Sequence, residues 1–165
     1  MKVHALFKLL TAFMLIHLSA NAYGLEKQDH NQVLKDFSIE YKNWDVGVLP
    51  VRTNFIQIKP EIARSGRVFM LSIGMTTTKN DGTTDTKIKM RKKLSEAECI
   101  ALFNEVKKIG FFKLKDAYSP DEAVDGGSAA SLKVTADGMT KKISINNTSV
   151  PEINKLLAAI NLLIR

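Results

Sequence analysis

The stretch RVFMLSIGMTTTKNDGTTDTKIKMRKK, residues 67–93, decides the fold. Phe69, Leu71, Ile73 and Met75 recur at every second position, the period of a strand with one buried face. Asn80-Asp81-Gly82 is a turn signal, and the chain returns from Thr84 to Lys93. On the return, Ile88 and Met90 alternate with Lys87, Lys89, Arg91 and Lys93, so the spacing predicts an antiparallel hairpin with one wet face.

Upstream, Phe37, Ile39 and Tyr41 alternate with Ser38, Glu40 and Lys42, which predicts a half-buried strand. Asn43 to Pro50 reads as a loop holding Trp44, the single tryptophan of the chain. A second short strand is expected over about Phe55 to Ile58, closed by Pro60.

Downstream, Ser95-Glu96-Ala97-Glu98 has the form of a capping box, in which hydroxyl and carboxylate each take one orphan amide of a helix start. The helix should run to about Ile109, with Cys99, Leu102, Phe103 and Val106 on its buried face, and end at Gly110 as a left-handed cap. Phe111 and Phe112 then anchor the chain to the core. Residues 116–127 read as a loop. Ser131 to Thr135 and Met139 to Ile145 flank Ala136-Asp137-Gly138 as a second hairpin. Pro151 suits the first turn of a last helix, whose apolar stripe contains Ile153, Leu156, Leu157, Ile160, Leu163 and Ile164.

Four strands, a helix, a hairpin and a helix make an α+β domain: an antiparallel sheet of about five to six strands with two helices packed on one face. It is expected to span residues 36–165, after a polar and aperiodic lead-in over residues 23–35. Residues 1–22 carry a positive tip at Lys2, an apolar run from Ala5 to Leu18 broken by Lys8 and His17, and small residues at Ala20 and Ala22. That is the pattern of a cleavable signal peptide, too short and too charged to span a bilayer. A periplasmic or secreted product with no membrane span after processing is expected. The only cysteine is Cys99, so neither a lipid-bearing cysteine at the cut nor an internal disulfide is available.

The chain is basic, with a formal charge of +7, and loss of Lys2 and Lys8 with the signal lowers that by two. An excess of this size suits an acidic partner or simple solubility. Two of the three histidines, His4 and His17, leave as well; His30 falls in the lead-in. Histidine-based nucleophilic catalysis then has no support. There is no Cys-x-x-Cys, His-Glu-x-x-His, phosphate loop or dinucleotide fingerprint, so no metal or cofactor is expected. Cys99 on a buried helix face reads as packing rather than as a reactive thiol. Asp116, Asp121, Glu122 and Asp125 cluster in one loop and read as a solvated acidic segment.

Two surface candidates remain. Period two places Lys87, Lys89, Arg91 and Lys93 on one face of one strand, a stripe suited to phosphate-bearing polymers or an acidic protein. The alternative is a solvated sheet face whose lysines discourage edge pairing. Trp44, among Tyr41, Val46, Val48 and Leu49, is either a contact residue or a side chain folded back onto the sheet.

LSEAECIALFNEVKKIGFFKL, the Asp-Gly hairpin and the terminal VPEINKLL, within residues 94–165, resemble a loose pattern in uncharacterised exported bacterial proteins. That resemblance implies no activity and no site residues. The leading expectation is an exported binding or inhibitor-like module acting by surface contact on an envelope protein or an anionic envelope polymer, and not on nucleic acid. The others are a hydrolase using Asp116, Asp121 or Asp125, and a structural part of an envelope complex.

Overall fold

Alternation of apolar and polar residues builds seven strands: β1 (Ser38–Asp45), β2 (Val51–Ala63), β3 (Gly66–Thr78), β4 (Thr84–Leu94), β5 (Ala117–Tyr118), β6 (Ser128–Ala136) and β7 (Met139–Asn146). The computed structural model describes residues 34–64, 66–121 and 126–165. The expected signal peptide and most of the expected lead-in therefore lie outside the described residues. The last part of the expected lead-in is already structure: Leu34 is buried, and the Lys35 carbonyl accepts from Arg67 Nη1 at 2.6 Å.

The strands form one sheet in the order β4-β3-β2-β1-β6-β7-β5, antiparallel except where β5 pairs with β7. This is the expected α+β plan with one strand more. The extra strand, β5, is two residues taken from the expected loop, aligned parallel to Ser144 and Ile145. No alternation can announce a pairing so short.

β2 also exceeds its expected length, running through Pro60 to Ala63. Beyond Ile58, where the pairing with Ile39 ends, β2 has only β3 as a neighbour. A missing amide hydrogen therefore costs no bond on the β1 side.

Helix α1 (Glu96–Lys108) starts as its sequence dictates. The Ser95 hydroxyl accepts from the Glu98 amide, and the Glu98 carboxylate accepts from the Ser95 amide at 2.7 Å. Gly110 follows with φ 64°, a value favouring a residue without Cβ. Helix α2 (Pro151–Leu162) opens with its proline in the first turn and buries Ile153, Leu156 and Ile160.

Both helices share one core with a single phase of the sheet. Ile39, Ile58, Leu71 and Val134 stand in one cross-strand row and are fully buried with Cys99, Val106, Leu156 and Ile160. Every strand residue of that cluster belongs to this phase, so the helices cover one face and, among the described residues, no helix lies on the other, the open face.

Candidate functional site

The open face is defined by register. One row across it reads Ile88, Gly74, Phe55, Lys42, Ser131 and Ser144 from β4 to β7. The next reads Arg91, Ser72, Gln57, Glu40, Lys133 and Lys142. Lys93 pairs with Met70, which pairs with Lys59, and Glu61 shares this phase. Six cations, Lys42, Lys59, Arg91, Lys93, Lys133 and Lys142, thus stand against two carboxylates, Glu40 and Glu61, from one side of the sheet to the other. Five inter-strand steps make this band about 24 Å wide.

The predicted single-strand stripe does not exist. Ile73 pairs with Met90 and Gly74 with Ile88, leaving Lys89 as the extra residue of a bulge. A bulge reverses the phase of the residues beyond it. Lys87, opposite Met75, therefore falls on the phase of the helix-covered face, while Arg91 and Lys93, opposite Ser72 and Met70, fall on the open one. For the same reason Ile88, expected inward, is 54% exposed on the open face. The structure keeps Arg91 and Lys93 together and joins them to four cations on other strands.

Trp44 lies within β1 rather than in a loop, paired with Thr53 and Ala129 and half-buried at one end of the open face. Alternation continues two residues past Lys42, which the Gly47 and Pro50 signals obscured. Between these residues sits an apolar spot that the sequence did not reveal. Phe55 is buried at 7% exposure, and its ring lies so close to Gly74 that a Cβ there would meet Phe55 Cζ at 2.6 Å. Phe55 interrupts a wet face, but only register shows which face it is on.

Exposed ion pairs hold the charges in place. Glu40 accepts from Lys42 at 2.6 Å and lies 3.7 Å from Lys59, and Arg91 makes a two-oxygen contact with Glu61 at 2.6 Å. The Lys42 hydrogen bond, offset in part by burial and helped by the fields of Lys42, Lys59 and Lys133, pulls the Glu40 carboxyl below its ordinary value. Lys93, Lys133 and Lys142 have no ion pair among the described residues. Solvent-exposed pairs contribute little to stability, so these cations exchange partners at small cost.

Elsewhere the chemistry is sparse. Among the described residues no polar or charged side chain is buried, and no three His, Cys, Asp or Glu side chains gather as metal ligands would. A 430 Å³ cleft at the start of α1, lined by Leu34, Arg67, Phe69, Lys93 and Ser95, contains one carboxylate, Glu96. A 130 Å³ pocket beside Tyr41, Asn43 and Asn154 contains none. Asp116 is exposed and accepts from Lys141 at 2.7 Å; Asp121 is exposed; Glu122 and Asp125 lie outside the described residues. No helix among the described residues is long and apolar enough to cross a membrane.

Cys99 has no exposed surface, and burial, with lesser help from Glu98 and Glu96, pushes its thiol up to about 12. Since the thiolate is the reactive form, native protein at neutral pH should resist maleimide or disulfide reagents until it is denatured. Stoichiometric modification of the folded protein within minutes would contradict this placement.

No family model and no curated protein matches the chain.

Proposed function

We propose that this chain is an exported, non-catalytic binding module whose open sheet face engages an anionic partner of the cell envelope. The observation that carries the reading is the excess of six cations over two carboxylates on the one face that the helices leave uncovered. Carried by five strands and spread across the width of six, these charges suit an extended array of anions better than one small ion. Ile88, exposed, and Trp44, half-buried, add apolar area to the same surface. Weakly paired lysines and an arginine can pass to phosphate, sulfate or carboxylate groups on the partner without leaving a buried charge behind.

Immobilised heparin serves as a generic polyanion to test this. The chain should be retained at low salt and released as ionic strength rises, because exposed charges are screened within about 10 Å at 0.1 M salt. The variant K42E/K133E should lose retention at low salt while its circular dichroism is unchanged. Retention of that variant equal to the native chain, or no retention of the native chain at low salt, would rule the face out.

A further inference from the structure

We infer that the anionic partner is the surface of a lipid bilayer, and that the loop of residues 46–50 is the part that enters it. This rests on the reading of the open face as an anion-binding surface. Three of the seven exposed large hydrophobic residues among those described are Val46, Val48 and Leu49, at 44, 55 and 69% exposure. Single exposed aliphatic residues are ordinary, but three within four positions concentrate apolar surface in one loop. The loop is anchored at its base, where the Val46 amide donates to the Gly127 carbonyl at 2.8 Å, and Gly47 turns it at φ 80°.

The loop is continuous with the cationic face through β1. Lys42 and Trp44 are successive open-face residues of that strand, and the chain then passes into Val46. A bilayer with anionic lipids presents a plane of negative headgroups over hydrocarbon. Such a surface accepts dispersed cations and an exposed apolar loop together, whereas a soluble polyanion leaves the loop in water. One weak determinant gives marginal membrane binding; a basic surface with an apolar insertion supplies two. Asp45 and Arg52 flank the loop with opposite charges, so the attraction comes from the sheet face. A half-buried tryptophan at the junction occupies the position that interfacial aromatics favour.

Trp44 is the only tryptophan, so its emission reports on this junction alone, and the apolar N-terminal segment is common to every variant. The native chain should show a blue shift and quenching by brominated acyl chains with phosphatidylglycerol vesicles at low salt, but not with phosphatidylcholine vesicles. V48D/L49D should abolish the quenching and leave heparin retention intact. K42E/K133E should weaken vesicle binding about tenfold or more, at about 1 kcal/mol per basic residue near the surface. If the native chain binds heparin but Trp44 does not respond to vesicles, or if V48D/L49D is quenched like the native chain, the bilayer inference is overturned while the face reading stands. If neither heparin nor vesicles are bound, both fall.

Discussion

Phe37→Ala should lower the stability of the fold by about 3–5 kcal/mol, the cost of a large cavity in a packed core. Phe37 has no exposed surface, and its ring sits 6.4 Å from that of Phe69 on β3 and 6.1 Å, edge-on, from that of Phe103 on α1. It therefore joins sheet to helix, and deleting it removes one ring contact from each neighbour. Domains of this size are stable by roughly 5–15 kcal/mol, so a large share would go. Urea unfolding followed by circular dichroism and Trp44 emission measures it. A loss below about 1 kcal/mol would mean that the sheet and α1 do not meet as described.

Gly74→Ala is the second large effect, expected at about 1–3 kcal/mol or more from overpacking. The added methyl would press into the Lys87 carbonyl oxygen and the Phe55 ring. A flexible ring can give way, but a backbone carbonyl fixed by β3–β4 pairing cannot. The double variant Phe55→Ala/Gly74→Ala should consequently avoid part of the clash and no more. Wild-type stability for Gly74→Ala would show that the bulge does not bring β4 so close to β3. The position bears on the proposed binding surface as well, because Gly74 and Phe55 stand in the middle of the open face.

The features legible in the sequence were those that depend on near neighbours. The capping box at Ser95 and Glu98, the buried face of α1, the left-handed Gly110 and the alternation of Phe69, Leu71 and Ile73 are all set within one or two turns of chain. Three other features escaped the sequence for one cause. The bulge at Lys89, the placement of Phe55 over Gly74 and the pairing of β5 are properties of two strands at once, and alternation in one strand is blind to them. Extrapolating period two through Lys89 made a stripe of Lys87, Lys89, Arg91 and Lys93, when the phase reverses midway. The site itself was half visible: Arg91 and Lys93 belong to it, but Lys42, Lys59, Lys133 and Lys142 join them only through the order of strands in the sheet.

Two variants of equal charge change separate a stripe along one strand from a band across strands. K42E/K133E reverses two lysines of the open face; K87E/K89E reverses one on the other phase and one in the bulge. Heparin affinity should fall by about tenfold or more for the first, on the order of 1 kcal/mol per surface cation, and far less for the second. Equal losses, or the larger loss for K87E/K89E, would contradict a site assembled across the sheet.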